Sequence, residues 1–161
     1  MFMKAFMIKF QAEKAIKFLN EKLKLPVTGV EQDWDLELSD SDRLVEFLSF
    51  YENQRLDADT KFALMSLIIA SYENVESDTN YIENNNNPLW ERICAILQND
   101  KKIHEHTIHS WCYWDYENRE DASLVSSKMR AFFLQNSNQF ISPEDFLKIQ
   151  NIEDCQTVYY W

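Results

Sequence analysis

The sequence predicts an all-α protein, built as a compact bundle or as stacked pairs of about seven helices. Apolar residues recur at the spacing of amphipathic helices in nearly every segment of the 161-residue chain. The chain contains one glycine, Gly29, whereas average usage of about 7% would give roughly eleven. Because tight β-hairpins and many β-bulges require glycine, this shortage disfavours sandwiches and barrels. The length is typical of one domain, so we expect a single helical domain over residues 1–161.

Three helices are predicted in the first half of the chain. The first carries an apolar stripe over 12–23 and ends before Pro26, because proline disfavours helix at the preceding residue. A second covers about 40–53 and follows a good N-cap residue. The third begins near Asp57 and is apolar almost all round over 62–70, so we expect it to be the most buried element.

Four more helices follow a predicted loop over 73–87. The Asn-Pro pair at 87–88 supplies an N-cap and a first-turn proline for the fourth helix. Asp100 is interpreted both as the end of that helix and as the N-cap of the fifth. The sixth runs over about 118–135, and the Ser-Pro pair at 142–143 opens a short seventh.

The net charge of −11 comes from 27 acidic and 16 basic residues, and it is unevenly distributed. Residues 31–100 hold sixteen acids and four bases, whereas residues 1–30 have a balance of +4. Repulsion from this charge argues against binding to nucleic acid or to an anionic membrane, and it favours a basic protein partner. The alternative is a solubilising surface with no specific partner.

Composition also limits the chemistry and the compartment. One glycine is too few for a P-loop, a dinucleotide fingerprint or a Gly-x-Ser-x-Gly nucleophile elbow, and we predict no cofactor. Three cysteines are an odd number, and they lie among apolar or aromatic neighbours at Cys94, Cys112 and Cys155. We expect them to be reduced in a cytoplasmic protein. The start of the chain lacks the features of a secretory signal, and no apolar run approaches the roughly 20 residues of a membrane span.

The strongest candidate for a binding surface is the acidic stretch 31–42, which holds six acids and no base. Over 33–38 acidic and apolar residues alternate, which predicts a short extended segment with its acids outward and about 6.6 Å apart. The stretch 2–10 is the other candidate for a short strand, or else it extends the first helix. A row of carboxylates resembles a phosphate backbone and would suit a phosphate-binding protein; the alternative is a solvated acidic edge. The candidate partner-binding residues are Asp33, Trp34, Asp35, Glu37, Asp40 and Asp42.

A second candidate surface follows the fifth helix, where 111–117 contains four aromatic residues. Aromatic side chains beside acids are typical of interface hot spots. The alternative is that Trp111 and Trp114 pack inside while the tyrosines cover neighbouring loops. The candidate partner-binding residues here are Tyr113, Asp115, Tyr116 and Glu117.

A weaker candidate is a transition-metal site, because His106, His109 and Cys112 follow one another at three-residue steps on a helix. The three side chains drift around the helix, however, and no further ligand lies at a recognised spacing. The alternative is that the imidazoles are surface groups or are hydrogen-bonded between helices.

The pattern of tryptophan, aliphatic and polar residues from Trp90 to Asp115 resembles segments of small, acidic, helical immunity proteins of bacterial toxin systems. It comprises Trp90, Ile93, Leu97, Asp100, Ile103, His104, Thr107, Ile108, Trp111, Trp114 and Asp115. The resemblance covers about a quarter of the chain and assigns no functional residue by motif. It implies a cytosolic protein that blocks a toxin by covering its active or substrate-binding surface.

The sequence therefore predicts a non-catalytic binding protein, most concretely an immunity protein that neutralises a basic, nuclease-type toxin. One alternative is a helical adaptor or regulator that binds another basic partner. A less favoured alternative is a metal-dependent enzyme centred on His106 and His109.

Overall fold

The all-α prediction is confirmed by a computed structural model of the chain. The structure describes residues 11–77, 88–115 and 123–157, and within these ranges it contains α-helices and short 3-10 turns but no strand. The α-helices are α1 (Glu13–Leu23), α2 (Trp34–Glu37), α3 (Leu44–Asn53), α4 (Ala58–Ser77), α5 (Pro88–Asn99), α6 (Lys101–Cys112), α7 (Leu124–Gln135) and α8 (Pro143–Thr157). None of these helices is both long enough and apolar enough to cross a membrane.

Helix α4 lies at the centre of the packing, as its sequence predicts. Every residue over 62–72 is buried, and α4 contacts α1, α2, α3, α6 and α7. A helix that is apolar on all sides is stable only when other elements cover all of its faces. The surrounding helices each contribute one apolar face to the same hydrophobic cluster, which extends from Ala15 to Phe133.

The predicted helix starts are confirmed where the structure describes them. The carboxylate of Asp57 accepts a hydrogen bond of 2.8 Å from the N–H of Thr60 in the first turn of α4. The Ser142 hydroxyl accepts one of 3.1 Å from the N–H of Asp145, in the first turn of α8. Asp40 caps a 3-10 turn (Ser41–Arg43) that leads directly into α3. Side-chain caps of this kind satisfy first-turn N–H groups that have no partner within the helix.

Two predicted boundaries differ from the structure. Helix α4 continues to Ser77, so the prediction of a loop from residue 73 onward is wrong at its start, and 78–87 lie outside the described residues. Polar residues persist in this last part of α4 because they have partners in other elements. The Ser71 hydroxyl accepts a hydrogen bond from the N–H of Asp40 at 3.0 Å, and Asn74 donates one to the Ser39 hydroxyl at 2.9 Å.

The sixth predicted helix corresponds to α7, which begins at Leu124. The predicted start near residue 118 lies outside the described residues, as does the ambiguous stretch 2–10.

The prediction of an extended segment over 33–38 is wrong, because Trp34–Glu37 form one turn of α-helix. Trp34 and Leu38, four residues apart, point inward and are 6% and 7% exposed. Leu36, which alternation would place on the same side, instead points outward and is 54% exposed. The helical turn therefore replaces a row of evenly spaced carboxylates with a mixed acidic and apolar surface.

Asp100 separates α5 from α6, as predicted, but its carboxylate does not cap α6. It accepts hydrogen bonds from the Tyr51 hydroxyl at 2.7 Å and from Lys61 Nζ at 3.0 Å. The same hydroxyl lies 2.7 Å from Nε2 of buried His104. Burial by itself would raise the pKa of Asp100, but the bonds from Tyr51 and Lys61 outweigh it and lower that pKa. The cluster joins α3, α4 and α6 through hydrogen bonds in their shared core.

Candidate functional site

Residues 27–46, which we call the acidic segment, follow α1 and extend into the first turn of α3. They contain seven acids and a single base, Arg43. The segment is fixed to the core at Trp34, whose indole Nε1 donates a hydrogen bond of 2.8 Å to Asn20 Oδ1 on α1. Trp34 thus belongs to the core, and we exclude it from the candidate surface. Further along, hydrogen bonds at Ser39 and Asp40 tie the segment to α4, so it is held between two helices.

Two of the seven carboxylates are used to shape the backbone of the acidic segment. Glu31 accepts hydrogen bonds from the N–H and hydroxyl of Thr28 and from the N–H of Gly29, which lower its pKa to about 2. Glu37 accepts hydrogen bonds from the N–H groups of Gln32 and Asp33, at 2.8 and 3.0 Å, at the start of α2. Because these carboxylates satisfy backbone donors, their main role in the free protein is structural.

Two further carboxylates also have local partners. Asp40 caps the 3-10 turn through the N–H of Asp42 at 3.0 Å. Glu46 forms a two-point hydrogen-bonded pair with the Arg43 guanidinium, at 2.7 and 2.8 Å. The only base of the acidic segment is therefore already engaged.

The remaining carboxylates are those of Asp33, Asp35 and Asp42. Asp33 and Asp42 are exposed, and no described lysine or arginine forms an ion pair with either of them. Asp35 is half-buried, and burial raises its pKa above the ordinary value. Of the five acidic candidates on this segment, Asp33 and Asp42 are thus exposed and have no ion-pair partner among the described residues, while the other three are engaged locally or half-buried.

Exposed aliphatic side chains accompany these acids. Seven large hydrophobic residues are exposed in the described part of the chain, and four of them lie in the acidic segment. They are Val27 (41% exposed), Val30 (80%), Leu36 (54%) and Val45 (53%). Aliphatic side chains interspersed with acids are suited to a protein contact, because apolar groups gain by desolvation while charges select the partner. Leu36 was not identified from the sequence as a surface residue, because the alternating pattern placed its side chain inward. Only a helical turn at 34–37 places it outward.

Of the second predicted surface, the structure describes residues 111–115, and these are only partly exposed. Trp111 and Trp114 are half-buried and pack against the core, which agrees with the alternative interpretation for the two tryptophans. Tyr113 ends α6 in a left-handed conformation (φ 48°) and is half-buried, whereas Asp115 is exposed. Tyr116 and Glu117 lie outside the described residues.

The end of α6 is held in place by Arg130 from α7. Its Nε donates a hydrogen bond of 2.5 Å to the carbonyl of Cys112, and its terminal nitrogen donates one to the carbonyl of Tyr113. The guanidinium lies 5.5 Å from the ring centre of Trp114. Because the carbonyls of a last helical turn lack partners within the helix, a cation at this position stabilises α6.

The histidines are packed between helices and do not form a metal site. His109 accepts a hydrogen bond from Trp114 Nε1 at 2.9 Å and stacks on Phe146 of α8, with ring centres 4.6 Å apart. Burial lowers the pKa of His109 to about 4 and raises that of the Cys112 thiol to about 12. His106 lies edge-on to the Phe146 ring. The described residues contain no group of three His, Cys, Asp or Glu side chains able to hold a metal ion, so His106, His109 and Cys112 are not brought together as the weaker candidate interpretation required.

Two open grooves lie on the described part of the surface. One, of about 310 Å³, lies between α1 and the start of α4, and both apolar side chains and the charged side chains of Lys14, Arg55, Asp57 and Asp59 line it. The other, of about 420 Å³, lies between α5 and α7 and includes Cys94 and Lys128 but no histidine or carboxylate. Burial raises the pKa of Cys94 to about 11, so its thiol is not an activated nucleophile.

No protein-family model, no curated protein and no solved structure matches the chain.

Proposed function

We propose that this chain is a non-catalytic binding domain that recognises a basic protein through its acidic segment. The observation that carries the proposal is the position of Leu36, exposed on a helical turn between Asp33 and Asp42. More specifically, we propose a cytoplasmic immunity protein that neutralises a nuclease-type toxin. The partner's lysines and arginines would face carboxylates that no described cation neutralises.

Electrostatics supports a basic partner in particular. Surfaces that bind the phosphates of a nucleic acid are rich in lysine and arginine, and a row of carboxylates attracts the same groups. Long-range attraction between opposite charges speeds association by one to three orders of magnitude at low ionic strength. Speed of this kind suits an inhibitor that has to capture its target before the target acts.

The apolar part of the contact would come from Leu36 and Val45. In protein interfaces most of the binding energy comes from a few desolvated side chains surrounded by polar ones. Trp34 does not take this role because it is already buried against α1. It instead holds α2 in the orientation that presents Leu36.

The proposal is tested by co-expressing the chain with the protein encoded by the neighbouring gene. We expect the two proteins to co-purify, and we expect the chain to restore growth to cells in which that neighbour is toxic. A matched co-expression with Leu36→Asp and Val45→Asp should lose both effects while the variant stays folded by circular dichroism. Binding without protection from toxicity would support an adaptor or regulator instead. A neighbour that does not bind would contradict the proposal of an immunity protein against it, and a doubly substituted chain that protects equally well would show that the acidic segment is not the binding site.

A further inference from the structure

One buried aromatic side chain anchors the first part of α8 to the rest of the protein. Over 143–151, where the structure describes the side chains of α8, Phe146 is the only buried residue. Its ring stacks on the imidazole of His109 on α6, with ring centres 4.6 Å apart, and lies edge-on to His106 at 5.8 Å. The contact between α8 and α6 therefore places a phenyl ring against two titratable side chains.

The segment that precedes α8 is fixed independently of Phe146. The N–H of Ile141 donates a hydrogen bond of 2.8 Å to the carboxylate of Glu105 on α6. The Phe140 ring stacks on that of Phe133 on α7, with centres 5.7 Å apart. Both contacts lie before the first residue of α8, so they hold the segment without holding the helix. The end of this segment is therefore a hinge about which α8 would move.

We propose that the contact between Phe146 and His109 is a pH-sensitive latch, and that acid releases α8 from α6 while the helices around α4 stay folded. Nδ1 of His109 accepts a hydrogen bond of 2.9 Å from Trp114 Nε1, so it is the ring nitrogen that carries the lone pair. A proton added there replaces the hydrogen bond by a repulsion between two N–H donors. The charged ring would have to turn toward water, and Phe146, stacked on its face, blocks this turn until α8 leaves.

The surroundings of His109 also favour its neutral form. Burial and the neighbouring His106 lower the pKa of His109 to about 4 from an ordinary value of 6.5, and a hydrogen bond at the backbone of Ile141 opposes them only in part. From α7, the Arg130 guanidinium lies over the Trp114 ring, and a second cation gives an imidazolium no stabilisation. Because release of α8 returns His109 toward water, the released state binds a proton more readily than the closed state, and low pH favours release.

Other titratable groups near this contact are an alternative source of pH dependence. The Cys112 thiol on α6 stays neutral, because burial raises its pKa to about 12, and α4 contributes the apolar ring of Phe62. The described carboxylates closest along the chain are Glu105, which bonds the segment before α8, and Asp115, Glu144 and Asp145, which are exposed. The last two lie in the first turn of α8, where negative charge stabilises a helix, so the test has to separate them from His109. This inference does not depend on the proposed function.

Amide hydrogen exchange of the full chain, followed by mass spectrometry and divided by the intrinsic rate at each pH, tests the latch. We expect protection over 143–151 to fall at least about fiftyfold between about pH 7 and about pH 4.5, given a pKa of 6.5 in the released state and about 4 in the closed state. At the lower pH, α4 should remain protected over 62–72. Loss of protection in α8 and α4 together, in a single transition, would overturn the proposal, because α8 would not then be released by itself.

Two variants identify the titrating group. His109→Phe keeps an aromatic ring against Phe146 but binds no proton, so the fall in protection over 143–151 should be at least about fivefold smaller than in the wild type. Glu144→Gln/Asp145→Asn removes the exposed carboxylates of the first turn and should keep the wild-type pH dependence. A pH dependence that persists unchanged in His109→Phe, or that disappears in the carboxylate variant, would contradict the latch.

The anchor has its own test at constant pH. At about pH 7, Phe146→Ala should remove the protection over 143–151 while α4 remains protected over 62–72. The matched control is Lys148→Ala, which truncates a side chain of α8 that is 74% exposed and should leave protection at the wild-type level. Wild-type protection of α8 in Phe146→Ala, or loss of protection in α4 as well, would show that this ring is not what holds α8.

Discussion

The carboxylate of Glu73, on α4, accepts a hydrogen bond of 2.8 Å from the backbone N–H of Val125 in the first turn of α7. Its other oxygen accepts one of 2.7 Å from Leu124. The first N–H groups of a helix have no partner within the helix, and the N-cap residue Ser123 makes no side-chain bond to them. A side chain about fifty residues earlier in the chain therefore caps α7 and places it against α4.

Replacing Glu73 should destabilise the protein through α7. We expect Glu73→Ala to lower the free energy of unfolding by about 1–2 kcal/mol, because two N–H groups lose a charged acceptor. The matched control is Glu91→Ala, which removes an exposed first-turn carboxylate from α5 and should cost less than about 1 kcal/mol. Urea denaturation of both variants measures the difference. Equal stabilities would show that Glu73 does not act as a cap.

Buried His109 should make the protein sensitive to acid. Its pKa is lowered to about 4 from an ordinary value of 6.5, so the unfolded chain binds a proton that the folded chain does not between those values. The contribution of His109 to stability is thus fully present above about pH 6.5 and is lost as the pH falls toward 4. The loss amounts to about 3 kcal/mol, at roughly 1.4 kcal/mol per pH unit.

The variant His109→Phe isolates this effect. It should be less stable than the wild type at neutral pH, because Trp114 Nε1 loses its acceptor. It should nevertheless lose less stability than the wild type between about pH 6.5 and about pH 4. The free energy of unfolding is measured by urea denaturation across this range. Parallel pH profiles for the two proteins would contradict the role given to His109.

Substitutions of Trp34 and Leu36 should affect different properties: the first should lower stability, and the second should weaken partner binding. Trp34→Ala should cost about 3–5 kcal/mol, because it leaves a cavity and removes the hydrogen bond to Asn20. Leu36→Ala should change stability by no more than about 0.5 kcal/mol, because this side chain is exposed, but should weaken partner binding. Thermal unfolding and calorimetric titration with the partner give the two quantities. A stable Trp34→Ala variant, or full affinity in Leu36→Ala, would contradict the assignment.

The conformation of the acidic segment could not be predicted from the periodicity of its apolar residues. Trp34 and Leu38 are four residues apart, and this spacing places two side chains on one face in a strand and in a helix alike. Only Leu36 distinguishes the two structures, and a single residue is too short a pattern to decide between periods of 2 and 3.6. The bond from Trp34 to Asn20 on α1 and the contacts of α2 with α4 favour the helical turn, and both are tertiary.

Helix starts were predictable because their signals are local. Each signal acts on a position no more than three residues away, as at Asp57, at Ser142 and at the two first-turn prolines. The continuation of α4 beyond residue 73 was not predictable, because Ser71, Glu73 and Asn74 find their partners in other elements. For the same reason the sequence located Asp100 at a helix boundary but did not reveal its bond to Tyr51, a residue 49 positions away.

Reversing the charges of the acidic segment has to spare the carboxylates that shape it. Asp33→Lys and Asp42→Lys meet this condition, whereas Glu37→Lys would remove the acceptor at the start of α2. Each reversal changes the net charge by two, so the pair takes it from −11 to −7. Glu91→Lys with Glu144→Lys makes the same change on α5 and α8 and serves as the control.

The association rate of this double variant with the partner protein, measured by stopped flow at low and high salt, tests the basic-partner proposal most directly. Asp33→Lys/Asp42→Lys should slow association about tenfold or more at low salt and flatten its salt dependence, because charge steering is lost. The Glu91→Lys/Glu144→Lys control should stay close to the wild type. Association of the Asp33→Lys/Asp42→Lys chain at the wild-type rate in low salt would contradict a basic partner at the acidic segment.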